Sequence, residues 1–262
     1  MPAIREFLGR RPVDAVLVRD AVERMGLGGA SRALGIRGED GRLAAVAWDS
    51  GNLIPLGFDA EGLDFLAADI LSRHRYASSL VGPAAQVLGL WQRLEPRWGA
   101  PREIRPVQYS MVMTTPSQVR PDPALRRARP EEHAAVFPAA VAMFTEEVGY
   151  DPTQAGPQYA RHVATLLAQG RTFIHSEGGR VIFKADVGAR GGGVAQIQGV
   201  WTAPEYRGHG IATRAMAAVV NILLAEVAPT VSLYVNDFNH PAVHVYTRVG
   251  FRRQADWATV LI

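Results

Sequence analysis

Residues 207–212 read Arg-Gly-His-Gly-Ile-Ala, and they constrain the fold more than any other stretch of the chain. Two glycines, Gly208 and Gly210, bracket the single residue His209. An apolar segment (195–202) precedes them, and a long apolar segment from about Gly210 to Val227 follows. Strand, glycine turn and helix in that order place unshielded backbone N–H groups at the positive end of a helix dipole. That arrangement suits a pyrophosphate. It is not the dinucleotide fingerprint, because Thr213 stands where a third glycine would be, and no Gly-Lys-Ser/Thr of a phosphate loop follows. A glycine turn before a helix is also what a plain connection looks like. The turn alone leaves both readings open.

The chain of 262 residues divides at 114–123, TTPSQVRPDP, where three prolines interrupt the apolar periodicity. This predicts a first domain over 1–113, a linker over 114–123 and a second domain over 124–262. In the second, 124–129 reads as a strand. Pro130, Glu131 and Glu132 then open a helix with a proline early and acids at its positive end. A second helix is expected over about 157–168, then a hairpin of 172–176 with 180–187 and a glycine-rich turn over 188–193. The strand 195–202, the helix 210–227, a strand over 231–235 and a helix over 241–249 follow. Phe251 and then 256–262 close the sheet. The expected order is β-α-α-β-β-β-α-β-α-β-β. In the first half, 14–25 has helical spacing, and 42–48 with 52–56 reads as a hairpin about Asp49-Ser50-Gly51. Residues 61–73 form an amphipathic helix, 77–81 a strand, 83–98 a helix with Pro83 in its first turn, and 108–113 a strand. The fold class predicted is α/β (α+β): a mixed, mostly antiparallel twisted sheet flanked by helices.

Residues 198–212, QGVWTAPEYRGHGIA, resemble the central motif of the GNAT acetyltransferase superfamily, with Arg207, Gly210 and Ala212 at its signature positions. A second landmark lies about thirty residues on. Asn239-His240-Pro241-Ala242, Tyr246 and Gly250-Phe251 reproduce the same family's N-x-x-A…Y-x-x-x-G-F pattern. Both motifs are in order, and the resemblance covers roughly 125–262. It implies that acetyl-CoA lies between the strand ending at Thr202 and the strand ending near Val235. Val200 and Thr202, flanking Trp201, would pair with the pantetheine arm. An N–H near Val200 would polarise the thioester carbonyl. Backbone N–H groups of Arg207, Gly208, His209, Gly210, Ile211, Ala212 and Thr213 would hold the pyrophosphate. Asn239 would reach the coenzyme arm, and Tyr246 would protonate the leaving thiolate after direct attack by an amine. No metal is expected.

Each of these residues also has a plainer reading. Tyr246 fits a half-buried aromatic on an amphipathic helix, and Asn239 fits the N-cap of the helix beginning at Pro241. His240 and His244 have a spacing that metal sites use, but no HExxH pattern accompanies them, and surface histidines are the expectation. His209 is expected to point to solvent. The family's usual carboxylate on the central strand is missing: 195–202 offers Gln196 and Gln198 but no Asp or Glu. Glu146, Glu147 and Asp186 are the candidate bases, alongside a water chain or an amine that arrives neutral.

Viewed beside the second half, the first looks like a worn copy. Its turn at Gly57-Phe58-Asp59-Ala60 lacks the Arg-x-x-Gly arrangement, so no coenzyme is expected there. The layout resembles actinobacterial tandem GNAT proteins with a degenerate first domain that shapes the acceptor pocket. The resemblance implies an N-acetyltransferase acting on an amine-bearing small molecule or protein amine. The alternative is a catalytically silent acetyl-CoA-binding sensor or interaction module. Composition removes other classes. The chain has no cysteine, which excludes thiolate nucleophiles and disulfides. Its net charge is only +3, without the runs of like charge that mark nucleic-acid tails. No apolar run approaches the ~18–20 residues that span a bilayer, and no signal peptide is read at the N-terminus. A cytoplasmic protein, monomer or homodimer, is expected to work without a nucleic-acid or membrane partner.

Overall fold

The computed structural model describes residues 2–26 and 32–262. The chain runs twice through one order of elements. The first pass comprises α1 (Pro2–Gly9), α2 (Val16–Met25), β1 (Arg32–Arg37), β2 (Leu43–Asp49), β3 (Asn52–Leu56), α3 (Ala60–Leu71), β4 (Ser79–Pro83), α4 (Ala84–Trp98) and β5 (Glu103–Met113). The second opens with a short edge strand, β6 (Arg126–Arg127). It continues through α5 (His133–Val148), α6 (Gln158–Ala168), β7 (Thr172–Glu177), β8 (Arg180–Gly191), β9 (Val194–Thr202), α7 (Ile211–Glu226), β10 (Thr230–Asn236), α8 (His240–Val249) and β11 (Arg252–Leu261). Apart from β6, each pass is two helices, three strands, a helix, a strand, a helix and a strand.

All described strands join one mixed sheet in the order β1-β2-β3-β4-β11-β5-β10-β9-β8-β7-β6. Only β3–β4 and β9–β10 are parallel. The last strand of each pass lies among strands of the other. β11 sits between β4 and β5, and β5 sits between β11 and β10. The buried Gln108 on β5 links both neighbours: its amide donates to Asn236 Oδ1 at 2.8 Å, and its Oε1 accepts from Thr259 Oγ1 at 2.6 Å. The indole of Trp257 (0 % exposed) stacks on Tyr234 with ring centroids 5.2 Å apart and packs into the core beneath β2, β3 and β4. A first-half helix crosses as well. Val13 and Val16 pack on Ala189 and Val194, and the buried Asp20 accepts from Arg171 at 2.9 Å. The segment 114–123 lies against the second pass, with Ser117 N–H on Asn221 Oδ1 and Asp122 N–H on the Arg214 carbonyl.

Most expected elements are present within a few residues, and the differences have local causes. The expectations omitted α1 and β1, and they started β5 at 108 and not at Glu103. The strand expected over 124–129 is only two residues long, because Pro130 begins a 3-10 turn. The expected turn at 188–193 is strand as far as Gly191. Gly188 is there for close approach, since a Cβ on it would fall 2.1 Å from Gln198 Cδ. Only Gly192 and Gly193, at φ 61° and 78°, turn the chain within a hairpin connection. The two closing strands expected after Phe251 are one strand whose register shifts twice against β5, which absorbs the charged Arg252–Asp256 stretch.

Trp257→Ala is expected to cost about 3–5 kcal/mol, the range for truncating a buried aromatic. Because β5 and β11 join both halves, far-ultraviolet dichroism and tryptophan fluorescence should still give one coincident denaturant transition. Two separate transitions would contradict a shared sheet.

Candidate active site

β9 and β10 pair only at their starts: Val194 with Thr230, Ala195 with Val231 and Gln196 with Ser232. Beyond that point β9 stays with β8 as far as Thr202, and β10 stays with β5 as far as Asn236. The two strands therefore splay, leaving the β10-facing edge of β9 open from Ile197 onward. A bulge lies within this open stretch. Gly199 and Val200 together face the single residue Ala185 on β8. Gly199 is at φ 59°, and a Cβ there would come within 3.0 Å of Asp186 Oδ2 and 3.2 Å of Lys184 Nζ. Lys184, the chain's only lysine, is 1 % exposed. Its ammonium donates to Asp186 Oδ2 at 2.6 Å and to the Gly199 carbonyl at 3.0 Å, so a buried charge pair is locked onto the bulge.

At the end of β9 a 3-10 turn (Pro204–Tyr206) leads into Arg207. Gly208 (φ 78°) and Gly210 (φ 72°) take the left-handed region that other residues avoid. Gly210 is the N-cap of α7 and supplies no side-chain cap. The Arg207 N–H is occupied, donating to the Pro204 carbonyl at 3.2 Å. The amides from Gly208 to Thr213 meet no acceptor among the described residues, and the next in line, Arg214 N–H, returns to the Gly210 carbonyl. Unsatisfied donors at a helix N-terminus form a ready anion site. The equivalent end of α3 is closed. There Asp59 accepts from Gly62 N–H at 2.8 Å, and Gln86 Oε1 accepts from Phe58 N–H at 2.9 Å. A carboxylate thus occupies the place where an anion would need to bind.

Two cavities meet at the splay. One, of about 610 Å3, runs along Val200–Thr202, the glycine turn, the start of α7, Asn239 and α8. The other, of about 760 Å3, lies on the opposite side between β5, α5, α6 and the splayed strands. Val200, Trp201, Asn239, Glu146 and Tyr246 line both. Tyr246, on α8, is buried beside Phe251 at that junction. Burial, and next the charge of Glu147, push its phenol well above the ordinary tyrosine range, so it stays protonated at neutral pH.

The other residues singled out in the sequence are placed as follows. Asn239 caps α8 through Oδ1, which accepts from Ala242 N–H at 3.2 Å. Its Nδ2 remains for a second partner. Trp201 directs its indole N–H to Glu146 at 3.1 Å. The Thr202 carbonyl accepts from Arg207 Nε at 2.9 Å, and the guanidinium also binds Glu146 at 2.7 Å. Arg207 thus braces the turn against β9 and α5 through its side chain. His209 is exposed and lines neither cavity, while Gly208, Gly210, Ile211, Ala212 and Thr213 line the smaller one. Among the described residues no group of three or more His, Asp or Glu could hold a metal ion. None of the described helices is long and apolar enough to cross a membrane.

The first half was expected to shape a pocket, but its residues that line the larger cavity, Glu103, Arg105 and Gln108 of β5, were not singled out in the sequence. A signal was present: Glu103 and Arg105 alternate beside apolar positions, as residues on one strand face do. Tyr159 and His162 of α6 were missed as well.

A tandem GNAT architecture is the class that the repeated order of elements, the splayed parallel pair and the uncapped glycine turn define. Residues 138–251 match the acetyltransferase (GNAT) family. Residues 32–136 match a domain of unknown function, DUF4081. Solved structures share the fold over nearly the whole chain. An acetyltransferase of the GNAT family from Colwellia psychrerythraea is 14% identical, covering 97% of this chain and 96% of its own, with TM-score 0.59. A GCN5-related N-acetyltransferase from Kribbella flavida is 16% identical over 97% and 95%, with TM-score 0.60. A tandem GNAT protein from the clavulanic acid biosynthesis pathway is 16% identical over 99% and 96%, with TM-score 0.53. No curated protein matches the chain.

Gly199→Ala is expected to lower stability by about 1–3 kcal/mol, because it strains φ and crowds the Lys184–Asp186 pair. Urea unfolding measures this. A neutral result would show that the bulge does not need glycine.

Proposed function

We propose that this protein transfers an acetyl group from acetyl-CoA to a primary amine by direct attack. In this reading residues 124–262 carry the chemistry, 114–123 joins the halves, and 1–113 binds no coenzyme and walls the acceptor cavity. The observation that carries the proposal is the uncapped, glycine-shaped start of α7 opening into the same cleft as Tyr246. The free amides from Gly208 to Thr213 fit a pyrophosphate, and the open edge of β9 at Val200 fits an amide-bearing arm laid beside it like a strand. The acceptor enters from the larger cavity. Its nitrogen bonds to the acetyl carbon, the carbon–sulfur bond breaks, and the Tyr246 hydroxyl gives its proton to the departing thiolate. The proton lost from the acylated nitrogen leaves through the acceptor side, and one from water restores the Tyr246 hydroxyl.

Calorimetric titration with acetyl-CoA should show saturable binding by wild type. Release of free CoA should depend on added amine. Tyr246→Phe is expected to lower kcat about 100-fold, at the lower end of the range for a positioned proton donor, while acetyl-CoA affinity stays within about twofold. The absence of a carboxylate on β9 favours a second reading, a silent coenzyme-binding module. Tight acetyl-CoA binding without amine-dependent CoA release, unchanged in Tyr246→Phe, would establish that reading instead.

A further inference from the structure

Four carboxylates, Glu103, Glu146, Glu147 and Asp186, line the larger cavity, and three of them are committed to cations. Glu103 is held bidentate by Arg105 at 2.9 and 3.1 Å. Asp186 is held by Lys184 at 2.6 Å and accepts from Thr172 Oγ1 at 2.8 Å. Glu146 is held by Arg207 and the Trp201 indole. Glu147 differs. Its nearest cation is Arg105 at 3.8 Å, a guanidinium already engaged with Glu103 and with the Glu147 backbone carbonyl at 2.7 Å. The Glu147 side chain stays 53 % exposed while lining this concave space, so both water and a ligand reach it.

We infer that Glu147 is the catalytic base of the transfer and the anchor for a cationic primary amine in a cavity built by both halves. This rests on the acetyltransferase reading above. Four carboxylates face three cations here, and Glu147, which only shares Arg105 with Glu103 at 3.8 Å, is the carboxylate on which the excess negative charge falls. A protonated amine entering between β5 and α5 is drawn to it. The ammonium gives one proton to the Glu147 carboxylate, the freed lone pair attacks the thioester carbon, the carbon–sulfur bond breaks and the thiolate takes the Tyr246 proton. The second nitrogen proton passes through water to restore the Tyr246 hydroxyl, and Glu147 returns its proton to solvent.

The surroundings of Glu147 suit this exchange. From β5, Arg105 and Glu103 face it, with Lys184 and Asp186 of β8 on the far wall. Tyr159 and His162 come from α6, Tyr234 from β10, Tyr246 from α8, and Glu146 precedes it on its own helix. Water reaches the Glu147 carboxyl, but the surrounding cavity walls partly desolvate it and raise it above its ordinary range, against the pull of Arg105 and Lys184. A base tuned upward takes a proton from an ammonium more readily than an ordinary carboxylate does. Burial moves the His162 imidazole the other way, so it holds a proton less well.

The experiment compares wild type, Glu147→Gln and His162→Gln on the full chain. A panel of primary amines is screened first for amine-dependent CoA release, and the best acceptor is carried through a pH series. The expected result is a 100-fold or greater fall in kcat/KM for Glu147→Gln near neutral pH, within the range for general bases. Wild type loses kcat/KM as pH falls through the raised Glu147 value. The variant should lack that limb and recover toward about pH 9–10, where the amine itself arrives neutral. Acetyl-CoA affinity should be unchanged in both variants, since neither residue lines the donor cavity. If the acid limb persists in Glu147→Gln, or moves with His162→Gln, the inference is overturned while the acetyltransferase reading stands. If wild type acetylates no amine of the panel, that reading fails and this one with it.

Discussion

The exchange of β5 and β11 is the constraint on which the rest of the structure depends. A strand at the end of each pass cannot pair within its own half, because the other half's last strand already occupies that place. Gln108 shows the consequence at atomic scale. It is a buried amide whose oxygen serves Thr259 on one neighbour and whose nitrogen serves Asn236 on the other. An unpaired buried amide is costly, so the position is satisfied only when both neighbours are present. The exchange also carries the first half's polar side chains, Glu103 and Arg105, to the mouth of the second half's cavity. A half that resembles a worn copy thereby forms a wall of that cavity.

Both passes build a parallel pair followed by a helix, and their difference lies in hydrogen-bond bookkeeping at that helix. At α3 the chain's own Asp59 takes the Gly62 amide and Gln86 takes that of Phe58. At α7, Gly208 and Gly210 present amides that nothing in the described chain consumes. The backbone course is the same, but one site is closed by a carboxylate and the other is left open for an anion. With glycine as its N-cap, the open helix end forgoes only about a few tenths of a kcal/mol relative to a side-chain cap. The first half has the end capped by a side chain, and the second half has the uncapped one.

What was legible in the sequence follows the range of the interactions involved. The turn 207–212, the cap at Asn239 and the helix carrying Tyr246 depend on neighbours within a few residues, and their pattern could be read directly. A gap between the strands ending at Thr202 and near Val235 was expected only because the family resemblance implies one. The part of β5 preceding Gln108 could not be read in the same way. Its charged residues look like loop until the exchange buries Arg105 between strands and against the end of α5. The glycines at 188–191 misled for a related reason. Gly188 is small because Gln198 of the next strand fills its space, and a contact across strands leaves no local mark. Nor does spacing reveal which of four acids must share a cation already engaged with another. That depends on Arg105, Lys184 and Arg207 reaching from three different elements.

The buried Lys184–Asp186 pair ties these features together. A buried ion pair seldom adds net stability over an apolar pair, since desolvating two charges offsets their attraction. Its geometry here has a more specific effect. The Lys184 ammonium holds the Gly199 carbonyl, Asp186 holds the ammonium, and Thr172 holds Asp186, so three strands clamp one bulge. The bulge is where β9 turns its free edge toward the junction of the two cavities, beside Tyr246 and Val200. Rigid charge–dipole contacts at that point fix the direction of the Val200 amide before any ligand arrives. The cost of burying the chain's only lysine is then matched by a preorganised edge, the condition under which a single N–H can polarise a carbonyl effectively.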